Sequence, residues 1–466
     1  MTIARENLAR SNLSRMTRIP KAQDQKPHRA VVGIAFPAIL ANSSTPLVGL
    51  VDTCAVGHLP GAVHLAAVGL GSIVFSYLFW VFGFLRMATT GLVAQASGRG
   101  DDRLLGAEVV RSAALGTFMG LGLLLLQEPI LTVSLWAMAP PEDVIGLVIE
   151  YYRIRIWAAP FTLLTFAIAG VLFGLGRTGG VLAIHLVLNI TNAALNIWFV
   201  VGLGMGVPGV ALGTLIAQVL AALVALWILV RLLGTGQLMR AIQSGGTWAM
   251  QRFQRLMMLN GFIFIRTIFL MTALAIIMRE AGKLGTTDMA ASHVLNQYML
   301  LVALGLDGFA HAAEALAGKA WGEGSKRQFN RWVWLTGLWG VLASLGYAGF
   351  FWWGGDPLTA LLTDLPGVRH SVNAVMPLVV LLPVVSVWCY HFDGVYIGAT
   401  AAGAMMVTMG IAFAIYLAIL NPMTEAWGLA GLWGAVLVFM AVRGIAQAAW
   451  YPFLVRGIPR AGAATP

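Results

Sequence analysis

The sequence predicts an all-α membrane protein with twelve transmembrane helices in two parallel-repeat six-helix lobes. Three observations predict it. Of 466 residues, 59% are hydrophobic and only 10% are charged, whereas a soluble domain carries about 25% charged residues. The apolar runs are long blocks of Ala, Leu, Val and Gly, enough to cross a hydrocarbon core that takes roughly 20 helical residues. They lack the short alternating segments of a membrane barrel. Third, distant segments match at a single spacing. Ala94 of "AQASGRGD" and Gly318 of "GKAWGEGS" are 224 positions apart, as are Gly170 of "GVLFGLG" and Gly394 of "GVYIGAT", and Ala66-Ala67 and Ala290-Ala291. Six spans per repeat is an even number, so both halves run the same way through the membrane, with a substrate path expected between them.

In chain order, residues 1–30 form a basic tail with Arg5, Arg10, Arg15, Arg18, Lys21, Lys26 and Arg29. The following apolar stretch is too long for a signal-peptide core and has no small-residue cleavage site, so it reads as an uncleaved first span. Spans start near Val31, Ala66, Ala107, Ile145, Gly180 and Val207 for the N-terminal lobe (31–231). A linker (232–252) leads to spans near Phe253, Met289, Trp332, Val372, Ala401 and Leu429 for the C-terminal lobe (253–455), and a short tail (456–466) ends the chain. Arg99, Arg103, Arg177, Arg231, Arg240, Arg252, Arg255, Lys319, Lys326, Arg327, Arg331, Arg456 and Arg460 all fall on the side of the N-terminal tail. The opposite loops carry mainly acids, with Arg279, Lys283 and Arg369 as exceptions. Both termini are therefore expected in the cytoplasm of a multi-pass protein of the cell (inner) membrane. The same asymmetry, with contact to anionic lipid, accounts for the net charge of +10 without nucleic acid. The two cysteines, Cys54 and Cys389, lie in separate apolar spans, and neither a disulfide framework nor a metal site is expected.

Polar residues inside the spans point to function. Asp52 has no Lys or Arg within twenty residues on either side, and an intramembrane acid is by default a functional residue. Asn42, Thr45, Gly49 and Asp52 recur at helical steps of three and four, placing a polar stripe beside a glycine notch, with Pro46 as an adjacent hinge. His185, Asn189, Asn192 and Asn196 make a second stripe; its asparagines read equally as substrate cavity or as helix glue, and His185, near the cytoplasmic end, reads as an interfacial residue. In the C-terminal half, Asp307, His311 and Glu314 share a face, Asp393 has Tyr390, Cys389 and Ser386 on nearby turns, and Arg266 is expected to pair internally with Asp307 or Glu314. Three acids against one arginine leave an excess negative charge suited to a cationic ligand or a proton. No phosphate loop, zinc pattern or nucleophile elbow is evident, so neither an enzyme nor a cofactor is expected.

Several stretches together resemble the multidrug and toxic compound extrusion (MATE) family, in its DinF-like branch, across 36–451. They are "PLVGLVDTCAVGHL", "FWVFGFLRMATTGLVAQASGRGD", "GVLFGLGRTGG", "LNITNAALNIWFVVGLGMGVPGVALGT" and "LDGFAHAAEALAGKAWGEG". The resemblance implies two six-helix lobes forming a V around a central cavity. It implies export of organic cations or drugs in exchange for H⁺ or Na⁺, by a chain sufficient as a monomer. It makes Asp52 the coupling acid of the first span and matches Asp307 and Glu314 to acids of the branch. Many members have an Asp in the fifth span where this chain has Asn196, and that departure favours a proton on Asp52 over a two-acid Na⁺ site. Two rival classes would need other residues. A lipid-linked oligosaccharide flippase of related architecture needs a strongly basic cavity, and only Arg86 and Arg266 lie in suitable spans. A membrane enzyme would centre on His311, Glu314 and Asp307, with no Ser in that motif.

Overall fold

The computed structural model describes residues 27–57 and 62–459. The basic tail before residue 27, residues 58–61, the tail from residue 460 and the side chain of Thr45 lie outside the described residues. The elements are, in order, α1 (Pro27–Val56), α2 (Ala62–Val81), α3 (Phe84–Arg99), α4 (Asp102–Leu125), α5 (Gln127–Met138), α6 (Glu142–Arg155), α7 (Ala159–Gly174) and α8 (Thr178–Asn196). They continue with α9 (Gly206–Leu233), α10 (Thr235–Gln243), α11 (Met250–Leu284), α12 (Thr286–Gly322), α13 (Lys326–Leu362), α14 (Pro366–Ala374), α15 (Met376–Gly398) and α16 (Ala402–Arg456).

Ten helical stretches among the described residues are long and apolar enough to cross a membrane. The longest, α16, breaks in two at Gly428 (φ 54°, ψ −130°), and α1 is a further 30-residue helix. That brings the count to the twelve spans expected. The tenth starts at Met376 rather than Val372, because the short α14 precedes it. None of α5, α10 and α14 was expected as a separate helix; all three are too short to span.

The described residues pack as two compact units, residues 40–255 and residues 27–39 with 256–459. Residues of α1 up to Ile39 therefore belong with the second unit, where the sequence reading placed the whole helix in the first lobe. A Cβ on Gly308 of α12 would strike Ile39 and the Ala35 carbonyl, so that glycine admits the start of α1 to the second unit.

The 224-residue repeat reappears in three dimensions. A Cβ on Gly170 would collide with the Arg86 carbonyl, and one on Gly394 with the Ala310 carbonyl. Gly174 lies in the same way against the Thr90 carbonyl and the Ala94 nitrogen, and Gly398 against the Glu314 carbonyl and the Gly318 nitrogen. Gly116 packs on Leu163, and Gly340 on Val387. Every one of these pairs is displaced by 224. Small residues let helix backbones approach closely where lipid removes the hydrophobic drive between helices. The sixth span of each half also starts its run at a glycine of positive φ, Gly206 (φ 62°) and Gly428 (φ 54°).

The linker is fastened to the first unit. Gln237 Nε2 of α10 donates to the Asp102 carbonyl at 2.8 Å. Arg111 of α4, 1% exposed, pairs with Glu108 at 2.7 Å and donates from Nε to the Thr247 carbonyl at 2.9 Å.

Candidate functional site

Asp52 is 1% exposed. Its Oδ1 accepts from Asn196 Nδ2 at 2.6 Å and from Asn192 Nδ2 at 3.2 Å, both on α8. The other hydrogen of the Asn192 amide goes to Thr214 Oγ1 of α9 at 2.9 Å. Thr214 Oγ1 also lies 3.5 Å from Asp52 Oδ1, but at 2.9 Å from the Val210 carbonyl its single hydrogen has a better acceptor. Asp52 Oδ2 is buried with no hydrogen-bond partner among the described residues. The group nearest to it in charge is Arg155, whose Nη1 is 3.9 Å away.

Local sequence builds this site. Asn192 and Asn196, four residues apart, lie on one face of α8. Gly213 leaves room for Asn196, because a Cβ there would strike the Asn196 side-chain oxygen. Immediately after Asn196 the helix widens into a π-helical turn, Ile197–Gly202, a feature frequent at functional sites. Asn189 donates to the Ser44 carbonyl at 2.9 Å, which ties α8 to α1 one further turn along. The stripe read along α1 is not one buried face. Asp52 and Ser44 are buried, Asn42 is half-buried, and Gly49 and Pro46 are exposed.

The second unit holds a different cluster. Asp393 Oδ2 accepts from Arg266 and, at 2.9 Å, from Arg443 Nη2. Oδ1 accepts from Gln447 Nε2 at 2.6 Å. All four side chains are buried. The expected partners of Arg266, Asp307 or Glu314, give way here to Asp393, and a second arginine joins it. The excess negative charge inferred for this half is thereby reduced. Glu314 is buried with His311, whose Nδ1 is 3.1 Å from its Oε1. Asp307 and Tyr390 are half-buried, and Tyr390 packs on the core of the second unit.

Sequence reasoning thus missed Arg155, Thr214, Arg443 and Gln447. Arg443 and Gln447 were discoverable: a lone arginine followed four residues later by Gln, inside an apolar span, is a partnered intramembrane charge by the rule that singled out Asp52.

Comparisons with known proteins agree on one family. The MatE family profile matches twice, over residues 37–198 and 263–423. The chain is 34% identical over 427 residues to the DNA damage-inducible protein F of Escherichia coli K12, spanning 90% of this chain and 91% of that one. It is 27% identical over 444 residues to the probable multidrug resistance protein NorM of Pseudomonas aeruginosa, spanning 87% and 85%. Its fold superposes on the outward-facing conformation of a multidrug resistance MATE family transporter with TM-score 0.81, 19% identity, and 93% and 97% of the two chains covered. With two copies of the family profile on a twelve-helix repeat, this chain belongs to the multidrug and toxic compound extrusion family of transporters, in its DinF-like branch.

Proposed function

We propose that the chain is a secondary active antiporter that exports organic cations or drugs in exchange for protons by alternating access, with Asp52 as the coupling acid. The observation that carries this reading is the division of labour between the two oxygens of Asp52. Oδ1 is held by amide donors, and Oδ2 is buried with no hydrogen-bond partner among the described residues. A proton can add at Oδ2 and leave the contacts at Oδ1 in place. A metal cation needs several oxygen ligands, whereas this carboxylate is met by two amide N–H donors and a guanidinium, with the Thr214 hydroxyl oxygen farther off at 3.5 Å. An ionised Asp at mid-membrane costs roughly 2.5–3.5 kcal/mol on insertion scales. Loading and unloading one proton can therefore bias two conformations by a comparable amount, on the order of a hundredfold in population.

Asp393 is assigned a structural part in this reading, because two guanidiniums and an amide already engage its oxygens. Asp307 and Glu314 remain candidate secondary acids. Asn42, Asn189, Asn192, Asn196 and Tyr390 are retained as candidate cavity residues, with Pro46 and Gly49 as the proposed hinge. The distribution of Lys and Arg supports an inner-membrane placement with both termini cytoplasmic.

The test is export from proteoliposomes under separately imposed pH and Na⁺ gradients. The parent should respond to the pH gradient and not to Na⁺. Asp52→Asn, at equal amounts of folded protein, should lose export driven by the pH gradient. Export by Asp52→Asn at the parent rate would sink the assignment.

A further inference from the structure

We propose that Arg155 is the positioning residue that restricts Asp52 to protons and sets the pH at which coupling operates. The inference rests on Asp52 being the coupling acid.

Arg155 ends α6 and is 8% exposed. Its Nη1 donates to the Tyr151 hydroxyl. Its guanidinium lies 5.0 Å from the centroid of Phe75 and 5.5 Å from that of Tyr151. Both rings are fully buried. The cage itself is fixed. Tyr151 Oη is 3.1 Å from Ser72 Oγ, a Cβ on Gly71 would collide with the Tyr151 ring, and Phe75 stacks on Tyr152 at 5.3 Å. A buried guanidinium normally needs a carboxylate. Here two aromatic faces and a phenol oxygen give it a second residence.

The 3.9 Å to Asp52 Oδ2 is the informative distance. It is inside ion-pair range but about 1 Å beyond a charge-assisted hydrogen bond. Arg155 therefore stands between two partners. When Asp52 is ionised, Arg155 closes on Oδ2. When Asp52 carries a proton, Arg155 rests in the Tyr151–Phe75 cage. The groups facing Asp52 are Arg155 and Tyr151 from α6, Asn192 and Asn196 from α8, and Thr214 from α9. Arg155 is thus the positive charge that a metal ion approaching Oδ2 would meet. A proton, bonded to the oxygen and without volume of its own, is not excluded in that way.

The experiment uses full-length protein in proteoliposomes, with the pH profile of coupled export as the first readout. The second is thermal melting in sodium chloride against choline chloride. Arg155→Gln should move the profile midpoint up by about one pH unit or more, since an adjacent cation favours an ionised carboxylate by that much. It should also make melting rise with Na⁺, and adding Asp52→Asn should abolish that rise. Arg155→Lys keeps the charge and should keep the parent's midpoint and its indifference to Na⁺. Tyr151→Phe deprives the resting position of its oxygen and should move the midpoint down; it reports on the same balance where Arg155→Gln fails to fold. An unmoved midpoint in both Arg155→Gln and Tyr151→Phe, or in Tyr151→Phe alone should the other not fold, overturns the proposal. So does continued indifference of folded Arg155→Gln to Na⁺. Those results, with Asp52→Asn inactive, leave the coupling acid in place. Full activity of Asp52→Asn removes the coupling assignment itself.

Discussion

Asp393→Asn should be among the most destabilising single changes in the second unit. The substitution removes the formal negative charge that faces Arg266 and Arg443, and leaves two guanidiniums buried beside a neutral amide. Breaking a buried ion pair by deleting one partner costs about 3–5 kcal/mol. Individual polar contacts between membrane helices average only about 0.6 kcal/mol, because the unfolded helices find other partners in the bilayer. Two stranded cations keep the expected cost near the lower end of the ion-pair range, about 3 kcal/mol. For domains of 150–250 residues each kcal/mol moves Tm by about 2–4 °C, so Asp393→Asn should melt roughly 6–12 °C below the parent. Arg443→Met is the control. It leaves Arg266 and Asp393 as a one-to-one pair, and the loss of a charged hydrogen bond, about 1.5–3 kcal/mol, is offset by removing a desolvated guanidinium. Its melting point should fall much less, and the double variant should recover part of the Asp393→Asn loss. The assay is tryptophan-fluorescence melting of detergent-purified protein at a fixed heating rate. Asp393→Asn melting within 2 °C of the parent, or a double variant no better than the single one, would refute the ionic-lock reasoning. Parent-like melting combined with lost export would move Asp393 back among the coupling acids.

Gly213→Ala should disturb the Asp52 site from behind, because the new methyl meets the Asn196 side-chain oxygen. We expect a loss of about 1–3 kcal/mol from overpacking and slower pH-driven export; unchanged melting and rate would show that Asn196 needs no such clearance. Cys54 is exposed and Cys389 is buried, and the two are not joined in a disulfide. Maleimide should therefore label Cys54 in folded detergent-solubilised protein and reach Cys389, whose Sγ donates to the Ser386 carbonyl at 3.1 Å, only after denaturation, as intact mass will report.

The fold was legible because its determinants are local or periodic: apolar length, basic loops, and a repeat whose glycines mark helix contacts. Asp52, Asn192 and Asn196 were legible as polar residues in apolar spans. The partners of Asp52 and Arg266 were not, because helical spacing relates residues within one helix only. Arg266 meets Asp393 across 127 positions, and Asp52 meets Arg155 across 103. Arg155 was also disguised by its neighbour. In "RIR" the two arginines point to nearly opposite sides of α6. Arg153 is exposed and pairs with Glu128 at 3.3 Å, as an interfacial arginine should, while Arg155 turns inward.

The matched glycines carry an evolutionary consequence. Gly170 and Gly394 occupy equivalent places, and so do Gly174 and Gly398, yet the side chains around them have diverged. Arg86 in one copy answers to Ala310 in the other, Thr90 to Glu314, and Ala169 to Asp393. A duplicated frame of this kind conserves its helix joints while each copy stays free to change its charges. New cargo or a new driving ion can then be acquired in one half of the molecule, with the ancestral contacts between helices inherited unchanged in both.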